Sequence, residues 1–520
     1  MKKWKIAGLI VLGLASCQVQ QQEEPAPTIE YIKRPKIQRT ADKPTFDYDW
    51  LASEIENYFN YFISDSVLHQ PDLVQNYYAS HDYQPHWIDI SDTLQKTEFL
   101  NILAFADLHG LDKNTYHYDR LITNFENLSF FYFETGGINY QLWAESEILL
   151  SDALVLLTKH LKHGVFDPLN NEEYYYFIPS RELIFDPFGV FYVDDLWPFF
   201  HSLIPSHAQY KTLQNEYVKR LEKPENTRTG KDIDTLNVLR VNLERWRWNP
   251  LFTDINGRVV YVNIPAFELH VLQVDSVLMS SRVCVGIKRP KTFAALYQEY
   301  LRNPAAPKPK HNETPILQSA IGYLVLNPDW RVPSSIARNE ILRNIQRDSN
   351  YLSRKGYHVY RGNVKIDPRT VDWQNITSDN FPFRIEQSAG EQNAMGRMKF
   401  MFPNPFSVYL HDTPSKQDYS RRNRAVSHGC VRVENYLELA HVLLSNSPIY
   451  NMAYLRRTLG LDRNSTQQLQ TINLFLRPPV PVIIDYKTAW IDAQGQLQIY
   501  ADVYERDVLV LEAFKGLRSF

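Results

Sequence analysis

Cysteine is nearly missing from this chain, with three in 520 residues, at positions 17, 284 and 430. So few thiols exclude a disulfide-built scaffold. The close-spaced ligand pairs of zinc sites, CxxC, HxxxH and HExxH, do not occur, and neither does a GxxxxGK[ST] phosphate loop or a GxSxG elbow. The sequence therefore predicts no metal and no cofactor. Charge of one sign is lacking as well. Lys and Arg total 56 against 59 Asp and Glu, a formal net charge of -3, which leaves no global attraction for nucleic acid. Past the N-terminus there is no apolar run of about 18 residues, the length a membrane helix needs. A repeat with a period of about 20–50 residues is absent too.

What is present describes a folded, exported protein. Apolar residues make up 44% and charged residues 22%, the balance of a globular chain, and its length predicts two or three domains. The N-terminus, MKKWKIAGLIVLGLASCQ, puts Lys2, Lys3 and Lys5 before an apolar run from Ile6 to Leu14. That run is too short to span a bilayer permanently and reads as a secretory signal. LASC, Leu14 to Cys17, resembles the bacterial lipobox, which implies lipidation of Cys17 and a signal peptide over 1–17. Residues 18–46 are rich in Gln, Glu, Pro and Lys without an apolar period. They read as a tether reaching roughly 30 Å as a coil.

Helical patterns dominate 47–235. WLASEIENYFNYFI places Leu51, Ile55, Tyr58, Phe59 and Phe62 on one face, and ESEILLSDALVLLTKHLKHG reads as a long helix stopped by Gly164. No catalytic constellation is visible there, so the region reads as a support domain. A linking helix follows over 236–255. From 256 the pattern becomes that of antiparallel strands, with a turn at Asp275-Ser276 and a Pro-rich loop over 302–315. The sequence predicts a mainly β domain over 256–490, with a helical capping insertion at about 316–395, and strands over 491–520. The fold class is thus multidomain, an α-helical support domain followed by a mainly β domain with a helical capping insertion.

The chemistry concentrates in YLHDTPSKQDYSRRNRAVSHGCVRVENYLELA, Tyr409 to Ala440. A cysteine nucleophile needs a histidine, a cation or a helix N-terminus close by. Gly429 permits a tight turn before Cys430, and the segment after it has helical spacing, so Cys430 is expected at a strand-to-helix turn. His411 closes the strand FSVYLH, where a base would stand. His428 can equally shape the loop, and Arg421, Arg422 and Arg424 read as a solvated loop. Cys284, alternating within SSRVCVGI, reads as a structural strand thiol. A Cys284–Cys430 disulfide is the competing reading, and it would consume the nucleophile.

SHGCVRV with an upstream YLHDTP resembles the active-site signature of the YkuD-type L,D-transpeptidases. NLERWRW, VVYVNIPAFEL, YLVLNPDWRVPSSIARNEI and NAMGRMKFMFPN, in that order, resemble segments of the large, YcbB-like branch. The resemblance runs from about Asp47 to the C-terminus. It implies that Cys430 attacks the donor stem tetrapeptide of peptidoglycan to give an acyl-enzyme with release of D-alanine. An acceptor amine then completes a 3→3 cross-link, with His411 moving the protons. It further implies that the Asp412 carbonyl orients His411, and that the amides of His428, Gly429 and Cys430 form the oxyanion hole. Arg432, Tyr409 and Trp330 would shape the substrate site, and carbapenems would acylate Cys430. The expected partners are stem peptides and, through the lipid, a membrane. The expected location is a periplasm-facing lipoprotein, with Gln18 after Cys17 favouring the outer membrane. Water or a protein amine as acceptor (a carboxypeptidase or a protein-anchoring enzyme), and an inactive wall-binding lipoprotein, remain alternatives.

Overall fold

The computed structural model describes residues 46–516, apart from 66, 89–93, 170, 172–173, 175, 178–187, 249–256, 274–275, 304, 446 and 463–468. The signal peptide, the lipobox with Cys17 and almost all of the tether lie outside the described residues, as does Asp275 of the expected turn.

The N-terminal half contains α1 (Tyr48–Asp65), α2 (Pro71–Ala79), α3 (Leu94–Phe105), α4 (Tyr118–Thr135), α5 (Tyr140–His163), α6 (Leu196–Leu203), α7 (Ala208–Leu221) and α8 (Gly230–Arg247). Helix α1 buries Leu51, Ile55 and Phe59, one turn apart, and packs on α5. Helix α5 is buried almost all round and stops at Gly164. Its buried acids take hydrogen bonds from within the fold. Glu147, for example, accepts from Trp87 N at 2.9 Å and from the Tyr78 hydroxyl at 2.8 Å.

The linking helix begins earlier than the sequence reading had it. Thr229 and Asp232 form a capping box that starts α8 at Gly230. The helix is a packing element rather than a spacer, because Leu239, Val241, Leu243 and the guanidinium of Arg245 are all buried.

Beyond it the chain forms β2 (Arg258–Asn263), β3 (Glu268–Gln273), β4 (Ser276–Gly286), β5 (Ile316–Leu326), β10 (Met398–Met401), β11 (Leu410–His411), β12 (Ala425–Ser427), β13 (Val431–Val433) and β14 (Ile472–Asp485). These join one sheet, which also takes β1 (Tyr176–Phe177) from the helical half. Strand β14 pairs with both β2 and β5, so the order β5-β10-β11-β13-β4-β3-β2-β14 closes on itself. Closure leaves these eight strands without a free edge. Helices α9 (Phe293–Arg302), α13 (Tyr436–Leu443) and α14 (Met452–Thr458) flank the sheet.

Three readings need correction. The cap begins after β5, not at 316, because Ile316–Leu326 pairs with β1, β10 and β14. Nor is it purely helical. Strands β6 (Trp330–Arg331), β7 (Tyr357–Arg361), β8 (Val364–Ile366) and β9 (Phe383–Gln387) form a separate sheet. This sheet packs against α10 (Ser334–Ile336), a π turn over Ala337–Ile341, α11 (Leu342–Arg347) and α12 (Tyr351–Arg354) around the cap's own apolar core. At the C-terminus, β15 (Ala489–Ile491) pairs with β16 (Leu497–Ile499), but Asp507–Gly516 is a helix, α15, which buries Val510 and Phe514 one turn apart.

Candidate active site

Strand alternation builds the site. Lys399 of β10 stands opposite His411 of β11, which stands opposite Arg432 of β13, which stands opposite Cys284 of β4. Residues directly across from each other share a face, so these four form a row across the sheet. The intervening positions, Met398, Phe400, Leu410, Val431 and Val433, are in the apolar core. Two residues along from the row, Tyr409 and Cys430 lie just ahead of β11 and β13, with Val431 N donating to Tyr409 O at 3.1 Å. The sheet thus buries its apolar face and presents its chemistry on the other.

His411 is 3% exposed. Its Nδ1 is 2.5 Å from the Asp412 carbonyl oxygen, and a carbonyl can only accept. The proton serving that bond sits on Nδ1, and Nε2 is the acceptor in this tautomer; the ring also meets the Met395 backbone carbonyl. The Asp412 carboxylate is turned away, taking the Arg397 amide at 2.8 Å and pairing with Lys416. Gly396 (φ +60°) lets the backbone pass here, since a Cβ would lie 2.4 Å from Asp412 Cγ. Burial, together with the Arg432 charge, pushes the His411 pKa down to about 3, so the ring is neutral at pH 7.

Cys430 is half-buried, on a turn between β12 and β13, and α13 begins only at Tyr436. The expected helix N-terminus is therefore not what activates it. Burial pushes the thiol pKa up, opposed by Tyr409, Lys399 and Arg432. Both groups are therefore neutral at rest, the thiol because burial raises its pKa and the imidazole because burial lowers its own.

The turn itself is tied down by side chains. Gly429 adopts φ +111°, and its amide donates to Ser427 Oγ at 3.1 Å while Ser427 Oγ donates to Cys430 O at 2.6 Å. Thr314 Oγ1 donates to Gly429 O at 2.8 Å and accepts from Gly286 N at 2.8 Å. Tyr504 OH donates to Gly286 O at 2.6 Å and accepts from Thr314 N at 3.1 Å. The Gly429 amide is thus committed and drops out of the expected oxyanion set. Among the described residues, the amides of His428 and Cys430 have no protein acceptor and are available to a developing oxyanion.

The other expected residues divide. Tyr409 lines the site, its ring at 5.7 Å from that of His411 and its hydroxyl donating to Met395 Sδ at 3.1 Å. Arg432 is held by Asp418 at 2.9 Å, beside His411. Trp330 is 7% exposed in the cap's core; its neighbours are cap side chains. Arg424 is not a solvated loop residue, since its guanidinium donates to Val283 O and Phe267 O at 3.1 Å. His428 reaches Glu340 of the cap, Nε2 to Oε1, at 2.6 Å. Cys284 is buried, its thiol pKa raised to about 11 by burial, and neither cysteine is bonded to the other. Lys399 was missed altogether. Burial lowers its pKa and the nearby Cys430 thiol opposes this.

An imidazole fixed as an acceptor, a half-buried thiol and two uncommitted amides together suit acyl transfer through a cysteine. The comparisons agree at the level of family. Residues 257–450 match the YkuD family, an L,D-transpeptidase catalytic domain, and residues 72–216 match a family described as a scaffold domain. A Haemophilus influenzae protein named "Putative L,D-transpeptidase" is 28% identical over 452 residues, 86% of this chain and 80% of that protein. Residues 257–450 of the chain are thus a YkuD-type L,D-transpeptidase catalytic domain, and the helical region ahead of it matches the scaffold family.

Proposed function

We propose that this chain forms 3→3 cross-links in peptidoglycan through an acyl-enzyme on Cys430. The observation carrying the reading is the His411 Nδ1 to Asp412 carbonyl bond, which leaves Nε2 as the base for the thiol. Because both partners rest neutral, the thiol proton passes to Nε2 as sulfur attacks the carbonyl between the third and fourth residues of the donor stem. The oxyanion is met by the amides of His428 and Cys430. The imidazolium returns its proton to the leaving D-alanine nitrogen, and the thioester remains. The amine of an acceptor stem, losing its proton to Nε2, then attacks the thioester and frees the thiol. Tyr409 and Arg432 border the donor channel, and Lys399 adds positive charge beside the sulfur. Lipidation at Cys17 would hold this site against a membrane facing the periplasm, the outer membrane by the Gln18 argument.

The test incubates the full chain with a disaccharide-tetrapeptide and analyses both protein mass and muropeptides. A 3→3 dimer with free D-alanine is expected, together with an acyl adduct on Cys430. Cys430→Ala should give no product, and His411→Ala should acylate roughly a hundredfold or more slowly. A carbapenem should add to Cys430 and leave Cys284 untouched. Tripeptide as the sole product would assign water as the acceptor, and full turnover by either variant would end the mechanism.

A further inference from the structure

Far from the catalytic turn, the helical domain gathers two histidines and a carboxylate. His69 comes from the segment before α2, His117 from the corner that opens α4, and Asp152 from the middle of α5. One ligand atom from each lies within 4.8 Å of the other two. Asp152 has a fully buried side chain and His117 one that is 9% exposed. His117 Nε2 is 2.8 Å from Asp152 Oδ2, and the rings of His69 and His117 stack with centroids 5.5 Å apart.

The surroundings orient all three groups. Asp152 Oδ1 accepts from Gln70 N at 2.7 Å and Oδ2 accepts from His69 N at 3.1 Å, so the carboxylate cannot rotate away. The His69 ring hydrogen-bonds the Thr115 backbone carbonyl, which fixes its tautomer as an outer carbonyl does for metal-bound histidines. The His117 side chain caps no helix, although the residue occupies the N-cap position of α4 at φ 59°. A lone structural hydrogen bond to Asp152 needs one imidazole, yet here two converge on it.

We infer that His69, His117 and Asp152 form a divalent-metal site of the zinc class in the helical domain. Two imidazoles and one carboxylate are donors that suit Zn2+ better than the all-oxygen shells of Mg2+ or Ca2+. At metal–ligand distances of about 2.1 Å, tetrahedral ligand atoms lie roughly 3.4 Å apart. His117 and Asp152 would open by about half an ångström, and the wider pairs would close by at most about 1.4 Å, within the reach of side-chain torsions. The ion takes the place of the proton between His117 Nε2 and Asp152 Oδ2, and that proton moves to Nδ1, so that the metal-bound imidazole stays neutral. The fourth position is left to water, and the ion clamps the α2 entry, the α4 corner and α5 together.

The test uses the full chain with Cys430→Ala, which removes the catalytic thiol as a rival ligand, and carries no polyhistidine tag. The protein is loaded with Zn2+, dialysed against metal-free buffer and analysed for metal, with folding checked by circular dichroism. About one Zn2+ per chain and a higher melting temperature with the metal are expected. Both should be lost in His69→Gln, whose partly exposed position makes folding safe, and in His117→Gln. Co2+ loading should give the intense visible bands of a tetrahedral site in the parent and not in His69→Gln. No retained metal, or equal retention in parent and variants, overturns the site. Cross-linking plays no part in this readout, so the test stands apart from the proposed activity.

Discussion

The turn that carries Cys430 and the cap that meets it are built in opposite ways around one thiol. Beneath the turn, Ser427, Thr314 and Tyr504 form an unbroken run of hydrogen bonds from Cys430 O to Gly286 O. Thr314 is fully buried and Tyr504 nearly so. The cap has its own core and meets the Cys430 turn through Tyr409, which packs against both cores and donates to Met395 Sδ, and through the His428–Glu340 pair, which is exposed. Buried polar networks are costly to disturb and exposed ion pairs are not. The nucleophile is thus rigidly placed, while the surface that covers it is lightly attached.

Thr314→Val should expose this difference most. Valine keeps the shape but leaves Gly429 O and Gly286 N without their partner, each costing about 1–3 kcal/mol. Where that cost shifts the turn, acylation by a carbapenem should slow by roughly tenfold or more. Thr314→Ser, which restores the hydroxyl, should recover most of the rate. The rate is measured well below the melting temperature of each variant, so that loss of fold is separated from loss of placement. Parental acylation by Thr314→Val would show that the floor is not what positions Cys430.

Cys430 and His411 stand out in the sequence because each lies within a short local motif, whereas the Asp412 carbonyl entered only through the family resemblance. Lys399 does not stand out, since only the register of β10 on β11 brings it to His411. The polar position between Met398 and Phe400 was the available sign. Thr314 ends a Pro-rich stretch that reads as a loop, and nothing local says that this loop passes behind the nucleophile. The start of the cap was misplaced because ILQSAIGYLVL is apolar on both faces, as befits a strand closing a barrel. DVLVLEAFKG fell within the stretch expected to be strands, yet Val510 and Phe514 are buried at helical spacing. Trp330 took its expected role from resemblance, and burial gives it another. The His69, His117 and Asp152 set was invisible because its members are spread over three separate elements.

Acidification separates the rate from the fold. Burial sets the pKa of His109, His160 and His411 at about 3 and that of His86 at about 4, against an ordinary 6.5. A histidine depressed in the fold takes up its proton first in the unfolded chain. Its stabilisation is complete above about pH 6.5 and is lost as pH falls toward the folded value, by up to about 1.4 kcal/mol per pH unit for each group. Melting temperature should therefore fall steadily from pH 7 to 5, with His86, His109 and His160 contributing from the helical half and His311, lowered to about 4, and His411 from the other. Over that range the acylation rate, read by rapid pH jump, should stay level, because His411 remains neutral. A rate that halves near pH 6.5 would mean that His411 titrates normally and the pair is not neutral at rest.

The smallest effect should come from the cap contact. Glu340→Gln keeps a hydrogen-bonding side chain opposite His428 Nε2 and removes only the charge. His428 and Glu340 are 44% and 49% exposed, and a pair so open to water is worth at most about 1 kcal/mol. Acylation should slow by about threefold or less at low salt. The difference should vanish at about 0.3 M salt, where screening acts over roughly 6 Å. A salt-independent loss of tenfold or more would place Glu340 in the same rigid system as Thr314. The cap would then be part of the machinery that holds the Cys430 turn, and the contrast between a fixed floor and a lightly attached cover would fail.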